Sequence, residues 1–156
     1  MNKQQAIASL KNDGLFVNWM SVSQRAVLKE GLNGEESAYF VDMLTELRTR
    51  IENMPKTYET DGQGDEAVAY LHYFIGSIDA WITEKDVCED TRDVPRLVTD
   101  PAPPIANSAQ LQAFGMQQIS GEFGDAELGY ISIKELIENG VELDLYWTPT
   151  KLKDIW

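Results

Sequence analysis

The sequence predicts an α+β fold: three N-terminal helices packed on an antiparallel sheet of about four strands, with one short helix before the last strand. In residues 1–55 apolar side chains recur every three to four positions, the period of a helix. After Pro55 they run together or alternate, as in strands. A chain of 156 residues suits one domain, with a helical part at 1–55 and a mainly β part at 56–156.

The first two helices are predicted from their stop and start signals. The stretch "NKQQAIASLKNDG" forms a short helix that stops at Asp13 and Gly14, because glycine readily adopts the left-handed conformation that ends helices. The second helix begins near Ser21 or Ser23, which are good N-caps, and ends at Gly31.

The third helix carries the strongest periodicity in the chain. Asn33 and Glu36 form a capping-box-like start, and Pro55 ends the helix because it lacks an amide hydrogen. Apolar residues between them recur at steps of four and three, which predicts one buried stripe. The stripe consists of Phe40, Leu44, Leu47, Ile51 and Met54.

The first predicted strands form a hairpin. "AVAYLHYFI", residues 67–75, is apolar on both faces, as in a central strand, and Gly76 and Ser77 provide a turn into "DAWIT". Residues 86–108 contain four of the six prolines and little periodicity, so we expect a long loop there.

The C-terminal third is predicted to contain two more strands around a short helix. "QLQAFGMQQI", residues 110–119, has strand character and precedes the glycine-rich turn "SGEFGDAELG". Ser132 caps the helix "IKELIEN", which stops at Gly140. In the last strand, "VELDLYW", the predicted inward residues are Val141, Leu143, Leu145 and Trp147.

Composition excludes several classes of function. The chain has 13 basic and 26 acidic residues, a formal net charge of -13, so binding to nucleic acid or to anionic lipid is not expected. Its apolar runs are far shorter than the ~20 residues that span a bilayer. A single cysteine and the lack of a signal-peptide pattern predict a cytoplasmic setting.

The acidic residues are segregated along the chain. Residues 1–58 contain seven acids and seven bases, whereas residues 59–93 contain ten acids and two bases and residues 122–144 contain seven acids and one base. The predicted sheet half is therefore the acidic half. Such a face serves solubility, docks on a basic partner or imitates a nucleic-acid backbone, and the sequence leaves these alternatives open. The candidate partner-binding residues are Glu59, Asp61, Asp65, Glu66, Asp79, Glu84, Asp86, Glu142 and Asp144.

No catalytic or metal site is predicted. His72 is the only histidine, and Cys88 lies in a polar loop without a basic neighbour that would lower its pKa, so we interpret His72 as a packed residue bonded to a neighbour. One histidine and one cysteine are too few ligands for zinc. The acids at 59–66 do not match the spacing of a calcium loop, and we expect no cofactor.

Four blocks of the sequence carry a resemblance to a known family. "MPKTYETDGQGDEAVAYLHYF", "DAWITEKD", "QAFG" and "AELGYISIKELIENGVELDLYWTP" resemble an uncharacterised family of small proteins of conjugative plasmids, integrative elements and other bacterial mobile DNA. The likeness extends from about Glu35 to Pro149. In the hairpin the chain departs from the family pattern G-G-x-D-W-Y-I-T-E-K-D at Ser77, Ile78 and Ala80.

The resemblance implies a bacterial cytoplasm and an accessory gene of a mobile element, but no activity. Together with the charge map it favours a non-enzymatic binding protein, of the anti-CRISPR or anti-restriction inhibitor type, whose acidic face docks on a basic nucleic-acid-binding groove. The alternatives are an accessory or regulatory protein of plasmid maintenance or transfer and, third, an enzyme with an unrecognised site.

Overall fold

The computed structural model describes residues 1–86, 109–119 and 125–155. Almost all of the predicted loop at 86–108, including Cys88, and part of the predicted glycine-rich turn lie outside these residues. Among the residues described, no helix is both long enough and apolar enough to cross a membrane.

The chain has the predicted α+β fold. The helices are α1 (Lys3–Ser9), α2 (Val22–Leu32), α3 (Ser37–Asn53) and α4 (Ile133–Glu138). Side chains cap three of them: Asn2 forms a capping box with Gln5 at α1, Ser21 caps α2, and Ser132 caps α4 as predicted.

The predicted start of the third helix is wrong by three residues. Asn33 is the C-cap of α2, and its amide donates hydrogen bonds to the carbonyls of Lys29 and Glu30. Glu36 takes the N-cap position of α3 without a side-chain hydrogen bond. The predicted stripe is confirmed, since Leu44, Leu47, Ile51 and Met54 are buried and Phe40 packs against them.

The main antiparallel sheet has five strands: β2 (Leu71–Ile75), β3 (Ile78–Glu84), β4 (Ala113–Gln118), β5 (Glu127–Ile131) and β6 (Glu142–Leu143). Their order in the sheet is β5-β4-β3-β2-β6. The predicted hairpin is confirmed: β2 and β3 pair directly, and Gly76 has a φ of +53° in the turn between them. A second sheet pairs β1 (Val68–Ala69) with β7 (Thr150–Lys151).

Three predicted strands are shorter in the structure, one of them being the strand predicted at 110–119, which is β4 at Ala113–Gln118. The stretch 67–75 divides at Tyr70, because β1 leaves the main sheet to pair with β7. The last strand ends after Leu143, because the Asp144 carboxylate accepts a hydrogen bond from the Tyr146 amide and forms a turn.

Both faces of the main sheet are packed, in different ways. On one face Leu71, Tyr73 and Ile82 join the large core beneath the helices, where the Tyr73 hydroxyl donates to the Trp19 carbonyl at 2.7 Å. On the other face Trp81 and Met116 form a smaller core with residues of β1 and the C-terminal segment. Because successive strand residues point to opposite faces, His72 and Phe74 lie on this second, outer face.

Candidate functional site

The nine acidic residues predicted to bind a partner occupy three different environments. Two are buried, Glu84 and Asp86. Two are half-buried, Asp79 and Asp144, and both contact His72. The remaining five side chains are exposed: Glu59, Asp61, Asp65, Glu66 and Glu142.

Glu84 organises the loop that precedes β1. Its side chain is only 4% exposed and accepts hydrogen bonds from the Tyr58 amide at 2.8 Å, the Thr60 amide at 3.0 Å and the Thr60 hydroxyl. These bonds hold Tyr58 in the left-handed region, at a φ of +70°. Glu84 is therefore a structural residue of this loop and is not accessible to a partner.

Asp86 likewise points inward, at 6% exposure. Its carboxylate accepts from the amides of Leu111 at 3.2 Å and Gln112 at 3.0 Å, while its own amide donates to the Gln110 side chain. Asp86 thereby ties the end of the hairpin to the segment that leads into β4. The assignment of both acids to an accessible face is corrected, since loop backbone covers them and satisfies their charge.

Glu66 is exposed, but its charge is balanced. Lys151 and Lys153 donate to its two carboxylate oxygens at 3.0 and 2.6 Å. The hydrogen bonds from Lys153 and then Lys151 lower the pKa of the Glu66 carboxyl, and the same contact raises the pKa of Lys153. Within the 59–66 loop, the carboxylates available to a partner are thus those of Glu59, Asp61 and Asp65.

His72 lies between two carboxylates on the outer face. Its Nε2 is 2.8 Å from Oδ1 of Asp79, and its Nδ1 is 3.1 Å from Oδ2 of Asp144. The ring stacks on Trp81 at a centroid distance of 5.4 Å and also packs against Trp147 and Phe74. Its side chain is 14% exposed, so the interpretation of His72 as a packed, hydrogen-bonded residue is confirmed.

This arrangement fastens chain segments together. A general base needs a ring nitrogen that faces the substrate, whereas both ring nitrogens of His72 face carboxylates. The contacts join the β2–β3 hairpin to the turn after β6, where the Asp144 amide also donates to the His72 carbonyl at 2.8 Å. In residues 1–86, 109–119 and 125–155, no group of three or more acidic, histidine or cysteine side chains is arranged to hold a metal ion.

An exposed aromatic surface, which the sequence did not reveal, lies beside the 59–66 loop. The hydroxyls of Tyr58 and Tyr130 are 3.1 Å apart, and the two residues are 64% and 55% exposed. Phe114 packs edge-to-face against Tyr130 at 5.7 Å, and Leu128 lies on the same face of β5 as Tyr130. We call these four residues the tyrosine patch. Tyr58 and Tyr130 are far apart in the sequence. The only indication of the patch in the sequence is the alternation of Leu128 and Tyr130.

Comparisons with protein-family models, curated proteins and solved structures find no match. The case for a function therefore depends on the chemistry of these side chains.

Basic side chains of the described part of the chain are largely engaged in internal contacts. Arg25, Arg50 and Lys85 donate to backbone carbonyls, and burial lowers the pKa of the Lys85 ammonium. Further basic side chains pair with acids at Arg48–Glu52 and Lys134–Glu138, and with Glu66 as described. These contacts stabilise the fold. The surface charge of the sheet half is therefore set by its exposed acids.

Proposed function

We propose that this chain is a non-enzymatic binding protein that docks exposed carboxylates on the basic surface of a partner protein in a bacterial cytoplasm. One observation carries the proposal. The loop at 58–66 is held in one conformation by buried Glu84 and displays Glu59, Asp61 and Asp65 beside exposed aromatic side chains. Surface carboxylates on a fixed loop attract a basic partner without first having to be ordered.

The class of partner follows from charge and from the family resemblance. A net charge of -13 opposes direct binding to nucleic acid but favours the basic grooves in which proteins hold nucleic acid. Proteins of mobile elements meet such grooves in the defence complexes of their hosts. We therefore propose an inhibitor of the anti-CRISPR or anti-restriction type, whose target is a nucleic-acid-binding defence complex.

Charge reversal on the loop tests this function. The variant Asp61→Lys/Asp65→Lys should lose capture of the partner in affinity pull-downs from bacterial lysate, because it replaces attraction by repulsion at the proposed contact. Capture by the unaltered protein should weaken steadily between 0.05 and 0.5 M added salt, as expected for an electrostatic contact (about the range over which the Debye length falls from ~14 to ~4 Å). A polyanion such as heparin should release the captured complex.

The matched control is Glu30→Lys/Glu35→Lys, which makes the same change in net charge on exposed residues of the helical half. It should retain capture, because its reversed charges lie away from the 58–66 loop. Capture that persists in high salt, or equal losses in both double variants, would contradict docking through this loop.

A further inference from the structure

We infer that the tyrosine patch is the recognition centre for arginine side chains of the basic partner. This inference rests on the proposed function and specifies it, because it states which cation the surface selects. It starts from a juxtaposition that the fold alone creates: two exposed tyrosine rings, 72 positions apart in the chain and joined by their hydroxyls, beside a loop rich in carboxylates.

The chemistry of the surface favours arginine over lysine. A guanidinium group is planar, stacks on aromatic faces and donates paired hydrogen bonds to carboxylates, whereas an ammonium group is a compact, strongly hydrated charge. Tyr58 and Tyr130 offer exposed rings, and Glu59 and Asp61 follow Tyr58 at one and three positions along the same exposed loop. Phe114 and Leu128 provide the apolar floor beside them. Exposed tyrosines with an apolar floor and charged surroundings are typical of the centres of protein interfaces.

The patch is also built on rigid elements. Tyr130 lies in β5, which pairs with β4 from Glu127 to Ile131. Tyr58 is held by the hydrogen bond from its amide to buried Glu84. A surface that is already ordered before binding loses little conformational entropy when a partner docks. Less of the favourable free energy of its contacts is therefore offset, and the affinity is higher.

The test compares two peptides of equal charge, nona-arginine and nona-lysine, by isothermal titration at physiological salt. We expect the unaltered protein to bind nona-arginine about tenfold more tightly, the effect of one or two cation–π contacts. The variant Tyr58→Gly/Tyr130→Leu should keep only the part of the preference that comes from the carboxylates, about twofold, with its affinity for nona-lysine changed by less than about twofold. Glycine is chosen at position 58 because it tolerates the positive φ found there.

Two comparisons keep the inference open to contradiction. Tyr146→Leu alters a tyrosine that is exposed on another part of the surface and should leave the preference unchanged. The single variant Tyr130→Leu, which keeps the loop intact, should lose part of the preference and serves if the double variant does not fold. Equal binding of the two peptides by the unaltered protein, or an undiminished tenfold preference in Tyr58→Gly/Tyr130→Leu, overturns the inference but not the proposed function. Failure of both peptides to bind even at low salt overturns both.

Discussion

At the scale of single residues, the environment of a carboxylate decides whether it is part of a surface or part of the fold. Glu84 and Asp61 have the same charge, yet Glu84 is surrounded by the donors of a loop, whereas Asp61 is exposed. Buried carboxylates are retained where hydrogen bonds replace the water they lose. The loop that carries the candidate site therefore depends on Glu84.

Replacing Glu84 by glutamine tests this dependence. The amide keeps the size of the side chain but has one acceptor oxygen, and its NH₂ group faces donors from Tyr58 and Thr60. We expect the free energy of unfolding to fall by about 1.5–3 kcal/mol, the range for a hydrogen bond to a charged group. Urea unfolding measures it, with the exposed Glu142→Gln as the control. Equal stability of the two variants would mean that the loop is held by other contacts.

His72 shows how much of a residue's environment the sequence can predict. Its position in an apolar strand predicts packing, and a two-residue turn at Gly76 and Ser77 sets the hairpin register, which places His72 opposite Trp81. Asp79 is then its diagonal neighbour on the same face, so this partner was predictable from the register. Asp144 was not, because the sequence does not show that β6 pairs with β2.

At the scale of elements, local periodicity predicted the helices well, and non-local pairing limited the prediction of strands. The stripe of α3 depends only on spacing within one helix, and it is confirmed. Whether residues 67–75 form one strand or two depends on β7, near the other end of the described chain, which nothing in the stretch itself indicates. The weakest parts of the sequence-based fold were therefore the strand ends and β5, which begins inside the predicted glycine-rich turn.

A pair of glycines in β4 and β5 gives a test of how the sheet is packed. Gly115 and Gly129 are opposite each other in the register. A Cβ atom added at Gly115 would lie 1.9 Å from the Trp81 carbonyl oxygen, a backbone atom of β3 that cannot move without separating the strands. At Gly129 an added Cβ meets no atom within 4 Å.

We therefore expect Gly115→Ala to lower the free energy of unfolding by at least about 3 kcal/mol, the upper range for overpacking, or to prevent folding. Gly129→Ala, the matched control, should change it by less than about 0.5 kcal/mol. Thermal unfolding followed by circular dichroism measures both variants. Similar unfolding temperatures for the two would contradict the close approach of β3 and β4.

At the scale of the whole molecule, the sequence shows that acids are concentrated in the second half of the chain, but it does not separate exposed acids from buried ones. Asp61 is exposed and Asp86 is buried, yet each follows a polar or charged residue in the sequence, Thr60 or Lys85. What separates them is the loop backbone that folds over Asp86. The tyrosine patch was missed for a related reason, because it joins a loop to a strand that is distant in sequence.

The same charge distribution gives opposite expectations for the effect of salt on folding and on binding. The folded chain concentrates a net charge of -13, so its acids repel one another, and screening should raise its stability. We expect the unfolding temperature to rise by a few degrees, roughly 2–4 °C, between 0.02 and about 0.5 M sodium chloride.

The variant Asp61→Asn/Asp65→Asn, which removes two exposed charges, should unfold at a higher temperature in low salt and respond less to added salt. Potassium chloride in place of sodium chloride should act equally, since the effect is one of ionic strength. An unfolding temperature that falls with salt would show that attractive ion pairs dominate the folded state. Loss of capture in salt would then support the docking surface only if circular dichroism shows that the protein remains folded at the temperature of the capture assay.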